Sequence, residues 1–257
     1  MKRLALILIL VFVASGAYFS TANRNTDVTV LNARGIPLDE TNTRFMVTFE
    51  IQNSGPAKTI TGLRSASVGS VSIMNPGYPD IPLVIPENSS GIFAMDGAHI
   101  MIAGADDGFA EGASIPITLS FIEVADVTTR VRIVGVDTGM TGMNHGTSNG
   151  IHLDPSPEIT LMALNGPNAQ GADISLNVEN FIFVRVADDA PHVANEGHAH
   201  IYLNGLKLGR LYDTMFTLGA IPTGTYDLLV GLNSNTHQPY MNGDTPAQDI
   251  LSFNVLD

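Results

Sequence analysis

The 257-residue chain contains no cysteine. No disulfide can hold it together in an oxidising compartment, no thiolate can bind a metal, and no lipid can be attached to a cysteine behind its amino-terminal apolar run. Charge is scarce, at 14% of residues, and basic side chains are scarcest: 12 Lys and Arg against 25 Asp and Glu leave a net charge of −13. A surface of that sign repels nucleic acid and anionic lipid and tolerates or draws cations. The motifs of several hydrolytic and nucleotide-using classes are missing too, with no Gly-x-Ser-x-Gly, no His-Glu-x-x-His and no phosphate-binding glycine loop. The paired acids Asp106-Asp107 and Asp188-Asp189 read as solvated turns. These absences point away from an enzyme.

Long apolar stretches are absent except for one, Leu4 to Val13, behind Lys2-Arg3 and ahead of the small residues Ser15-Gly16-Ala17 and Ser20-Thr21-Ala22. About ten apolar residues are too few to cross a bilayer, so the stretch reads as a signal peptide over residues 1–22. Its cleavage would leave a periplasmic or secreted protein without a stable membrane span. Loss of Lys2 and Arg3 would leave 10 basic side chains and a net charge of −15.

What the chain does have is an apolar fraction of 44%, plentiful Gly, Thr, Ser and Asn, and recurring short Val/Ile-rich runs. That mixture predicts an all-β protein with no helix longer than a turn or two, long enough for two domains. Arg44 to Gln52 alternates, with Phe45, Val47, Phe49 and Ile51 on one face and Arg44, Met46, Thr48 and Glu50 on the other. With Asp27–Leu31, Ala66–Met74, Gly91–Met95, His99–Ala103, Ser114–Glu123 and Val127–Val136, it predicts a β-sandwich over residues 27–136. A soft linker at 137–157 separates it from a second sandwich at 158–257, immunoglobulin-like or similar, whose hairpin turn is Asn204-Gly205. Its strands are Glu158–Leu164, Ile174–Val178, Phe181–Val186, His198–Asn204, Leu206–Tyr212, Thr225–Leu232 and Asp249–Val255.

Three places concentrate metal-binding side chains. In Gly97-Ala-His99-Ile-Met101-Ile, an imidazole and a thioether two residues apart share one face of a strand. Soft sulfur with borderline nitrogen suits Cu(I), and ten methionines supply the sulfur that cysteine does not. The linker carries Met140, Met143 and His145, with His152 shortly after. In Glu196-Gly-His198-Ala-His200-Ile-Tyr202, the two histidines and the tyrosine share the more polar face while Ala199, Ile201 and Leu203 point to the core. Such a pair suits Cu(II) or Zn(II), and His237 in an Asn-rich loop could join it, with His192 just ahead of the strand. A Cu/Zn superoxide dismutase would need further histidines and a ligating aspartate, and only His237 follows His200. A histidine-brace oxygenase would need histidine at the mature amino terminus, where cleavage leaves Tyr18 or Asn23.

Residues 27 to 136 resemble the periplasmic PCu(A)C copper chaperones. The resemblance is carried by Thr48-Phe-Glu-Ile-Gln-Asn-Ser54, Leu63-Arg-Ser-Ala-Ser67, Ile85-Pro86, Gly97-Ala-His-Ile-Met-Ile102 and Gly112-Ala-Ser-Ile-Pro-Ile-Thr-Leu-Ser-Phe121. It implies a cupredoxin-like sandwich holding Cu(I) through two histidines and two methionines. His99 and Met101 match the last pair, and Met74 is nearest to the family's first methionine. The first histidine, due near Ser72 or Ile73, is missing, since no histidine precedes His99. The later strand resembles an exported β-sandwich type with Gly-His-x-His, a Gly224-Thr225 turn and a late histidine, a type that implies no activity.

The expectation from sequence is an exported copper carrier. It binds Cu(I) at Met74, His99 and Met101 and a second ion at His198, His200 and His237, and it passes copper to a cuproenzyme such as a cytochrome oxidase or sequesters it. The competing expectation is a non-enzymatic structural or adhesive pair of sandwiches with a degenerate metal site.

Overall fold

A computed structural model describes residues 27–104, 108–135, 150–187 and 190–256. The leader at 1–22, Met140, Met143, His145 and both acid pairs lie outside those residues. The chain is all-β, and its described residues contain no helix.

The alternation in Arg44–Asn53 does what period-2 patterning dictates: Phe45, Val47, Phe49 and Ile51 all point into a dry core. Ile100 and Ile102, Ile115, Ile117 and Leu119, and Val131 and Ile133 repeat the pattern on three further strands and close that core. A bulge between Leu31 and Arg34 bends Val28–Pro37. The bend lets a strand paired antiparallel with Arg44–Asn53 also pair Arg34 and Gly35 with Arg132 and Ile133, joining the two layers of the first sandwich. The short strands Lys58–Arg64 and Leu83–Ile85 had no clear alternation to announce them.

In the second half, Glu158–Asn168, Gly171–Glu179 and Met215–Leu218 form one three-stranded layer. The other layer comprises Glu196–Leu203, Leu206–Leu211, Gly224–Ser234 and Gln248–Val255. Ile159, Ile174 and Leu218 from the first meet Ala199, Ile201, Leu203, Leu228 and Val230 from the second. The turn between Leu203 and Leu206 is the expected two-residue hairpin, with Asn204 and Gly205 both at positive φ, 46° and 81°. The predicted strand Phe181–Val186 shrinks to Ile182–Phe183, which pairs parallel with Glu196 and Gly197.

The halves interlock. Lys207 pairs with Ile92, so one 14-stranded sheet runs from Gln248–Val255 through both halves to Leu83–Ile85. Leu206 is buried in the first core and Val84 in the second. Asn75 Nδ2 donates to the Asn204 carbonyl and the Ala98 amide donates to the Gly205 carbonyl, latching the hairpin tip onto the first half.

Candidate functional site

His198 and His200 lie on Glu196–Leu203, in the middle of the shared sheet. Sequence put them on a polar face; they are only 3% and 4% exposed, because that face is covered. The opposing residues on Gly224–Ser234 are Asn233 and Gly231, and the glycine places no side chain beside His200. The loop after Ser234 then returns over the pair. Its amide and carbonyl bonds between Ser234 and Gln238, and the His237 amide donating to the Ser234 carbonyl, hold His237 at φ 62°, a left-handed conformation that a non-glycine residue adopts rarely. One ring nitrogen from each of His198, His200 and His237 comes within 4.8 Å of the others.

The proton positions follow from the neighbours. Asp96, from the turn before His99, accepts at Oδ2 from Lys207 Nζ at 2.6 Å and Tyr202 Oη at 2.9 Å, and His200 Nδ1 lies 3.1 Å from the same oxygen. Lys207 Nζ, which only donates, stands 3.1 Å from the same Nδ1; in the tautomer that gives its Nδ1 proton to the carboxylate, His200 keeps Nε2 as a lone pair. That lone pair faces His198 Nε2 at 3.0 Å, where the His198 N–H donates. A cation between the rings would take the place of that proton, with His198 carrying its own on Nδ1. The carboxylate–imidazole–metal order is the usual outer support of a histidine ligand.

Burial keeps His198 and His200 neutral. Burial, reinforced by the charges of His200, His237, Arg210 and Lys207, pushes His198 down to about 3. Burial also lowers His200, against the opposing pull of the Asp96 hydrogen bond. Burial favours protonation of Asp96, yet the His200 hydrogen bond and the Lys207 charge overcome it and hold the carboxyl well below its ordinary range. Burial and Asp96 together raise the Tyr202 phenol, which stays protonated as a donor. Unprotonated imidazoles such as those of His198 and His200 are what a borderline divalent ion requires.

Gly197 fixes the approach of this strand to its neighbour. A Cβ there would sit on the Asn233 carbonyl oxygen. Gly197→Ala is expected to cost about 1–3 kcal/mol in urea denaturation, the usual range for overpacking, by pushing Asn233–Ser234 and the His237 loop away. Unchanged stability would contradict this strand pairing.

The second cluster is on the first half. His99 and Met101 share a face of His99–Ala103, and Met74 and Ser72 lie directly across from them on Ser70–Met74. The structure therefore places all three sequence-predicted residues of this cluster on one surface, where opposed Cβ atoms are about 5 Å apart. His99 Nδ1 donates to the Gly97 carbonyl at 3.0 Å, leaving Nε2 as the outward lone pair. Met74 is 45% exposed, while His99 and Met101 are half-buried. Sequence reasoning passed over Met46, which pairs with Met101 from the other side and is buried outside the core. Its signal was the non-core position in the alternation of Arg44–Gln52. Of Ser72 and Ile73, near which the resemblance asks for a histidine, Ser72 lies opposite Met101 and Ile73 opposite Ile100. His152 pairs with Met241 on a small separate sheet, and exposed His192 lies against the Tyr240 ring, so neither joins a cluster. A larger open cavity of about 380 Å³ between Arg34, Glu111 and Arg132 is lined by neither histidine nor methionine.

No protein family matches the chain, and no curated protein matches it. Among solved structures, the chain is similar to a copper-bound PCuAC domain from PmoF2, with 19% identity and a TM-score of 0.38, over 42% of this chain and 93% of that one. It is also similar to the Cu(I)-bound DR1885 protein of Deinococcus radiodurans, with 16% identity and a TM-score of 0.36, over 46% and 85% of the two chains. The CupB2 chaperone of Pseudomonas aeruginosa aligns at 8% identity and a TM-score of 0.24, over 87% of this chain and 98% of that one.

Proposed function

We propose that this chain is an exported, non-enzymatic copper-binding protein with two sites of different softness. The observation that carries the reading is the convergence of His198 and His200, buried and held neutral, with a half-buried His237, His200 lying beside a carboxylate. Two buried imidazoles and a half-buried third turn a nitrogen each toward one point, and a Cu(II) or Zn(II) ion there would use all three. On the first half, Met74, His99 and Met101 present two thioethers and one imidazole, a donor set for Cu(I), whose filled d shell accepts three ligands. Half-exposed thioethers are suited to a cargo ion, because an acceptor's ligands can displace them one at a time. The amino-terminal Lys2-Arg3 and apolar run, and the resemblance to PCu(A)C chaperones, support export and delivery to a cuproenzyme of the cytochrome oxidase type. The division into domains at 27–136 and 158–257 belongs to the same proposal.

The test is competition for Cu(I) and for Cu(II) against chromogenic chelators, on the full chain and two variants. His237→Asn keeps a residue type that tolerates positive φ and removes the imidazole; Cu(II) affinity is expected to fall at least 100-fold while Cu(I) binding stays. His99→Ala with Met101→Ala is expected to do the reverse. Failure of the unaltered chain to compete for either ion overturns the reading and leaves a structural pair of sandwiches.

A further inference from the structure

Three imidazoles leave a four-coordinate ion one ligand short. Beside His198 lies a cavity with room for the centre of a single water-sized molecule, about 10 Å³, bounded by Val186, Ala187, His198, Arg210, Tyr212 and Asn235. The Asn235 side chain is 4% exposed, and its Oδ1 receives no hydrogen bond among the described residues. An unpaired buried acceptor is costly, so a donor placed in that cavity would relieve it. The charge around it is also one-sided. Arg210 acts on His198 through its positive charge, the Arg185 guanidinium lies 4.0 Å over the Tyr212 ring, and the three imidazoles bring no negative charge to a bound cation. A fourth ligand that can give the Asn235 oxygen a proton and can ionise against the cation is favoured there.

We propose that the ion held by His198, His200 and His237 keeps an open fourth position, filled by water or hydroxide seated between Asn235 and Tyr212 with a proton turned to the Asn235 oxygen, and open to exchange with a one-atom anion. This rests on the reading of the triad as a metal site. A closed structural site would have supplied a fourth side chain; here the remaining wall is a carboxamide oxygen, a ring and a cavity of one-molecule size. The cavity also sets a size limit: a one-atom anion fits and a linear three-atom anion does not.

The full chain, loaded with one equivalent of Cu(II), is examined by electron paramagnetic resonance with sodium fluoride and, separately, with sodium azide. Nitrogen hyperfine structure from the imidazoles reports the triad, and a fluorine splitting reports a fluoride on the metal. The expected result is fluoride coordination with azide at least tenfold weaker. Asn235→Leu, which fills the cavity, should abolish the fluorine splitting without releasing copper, and Asn235→Ala, which enlarges it, should raise azide affinity about tenfold. Copper bound with nitrogen hyperfine structure but indifferent to fluoride overturns the open position alone. Copper that shows no imidazole hyperfine structure, or is unaffected by His198→Ala, overturns the triad as a metal site and this inference with it.

Discussion

Asp96→Ala is expected to destabilise the metal-free chain by about 2–3 kcal/mol and to weaken Cu(II) binding by about 10–100-fold. The two effects have separate causes. Lys207 is 9% exposed and its ammonium is held by Asp96 at 2.6 Å, so truncation strands a buried charge. Breaking a fully buried pair costs about 3–5 kcal/mol; Asp96 keeps 41% of its side chain exposed, and solvent screening places the cost at or below the lower end of that range. The loss of affinity arises instead at His200, which no longer has an acceptor to hold its proton on Nδ1 and its lone pair toward the ion. Asp96→Leu combined with Lys207→Met separates them. Removing both charges restores most of the stability, whereas affinity stays low because the Nδ1 acceptor is still missing. Chemical denaturation and copper competition on the same three proteins check this, and a double variant with restored affinity would refute the positioning role of Asp96.

Acid should destabilise the metal-free chain well before ordinary carboxylate titration. His198 has an ordinary value near 6.5 and is held at about 3 in the fold. The folded state therefore binds fewer protons than the unfolded one between those limits. Stability is complete above pH 6.5, falls as pH drops below it, and levels off once pH passes 3. By pH 5 the loss from His198 is about 2 kcal/mol, or roughly 4–8 °C in Tm for a chain of this size. His200 is lowered as well and adds in the same direction. Asp96 acts in a lower window, its contribution being lost as pH falls below the ordinary carboxylate value. Thermal melts of chelator-treated protein from pH 7.5 to 4.5 should show this slope, and His198→Leu should flatten it. Equal melting temperatures at pH 7.5 and 5 in the unaltered chain would exclude a buried neutral His198.

Much of the fold was legible because strands encode their faces every second residue. Phe45, Val47, Phe49 and Ile51 declared a core face, and Asn204-Gly205 declared a turn, from local chemistry alone. His198 and His200 sharing one face followed from the same period. Their burial did not, because the cover comes from a loop whose path depends on the left-handed backbone at His237 and on bonds to Ser234. Asp96 was illegible for a different reason. It meets Tyr202 and Lys207 across 106 and 111 residues of chain, a contact set by how the two halves dock. Met46 was written off as the outer face of a core strand. Its relation to Met101 is a matter of register between Arg44–Asn53 and His99–Ala103, which no single strand's pattern contains.

The hairpin Leu203–Leu206 places its tip on Asn75 and Ala98 and buries Leu206 among the first half's core residues. The histidine strand is therefore not a transplantable cassette. Expressed without its amino-terminal partner, it would carry all three imidazoles and yet lack the Asp96 carboxylate and a cover for Leu206. During synthesis the first half emerges first, so the backing for His200 is waiting when the histidines arrive. An ion captured tightly by the three imidazoles would therefore report a finished molecule, and half-made chains would be poor competitors for that ion.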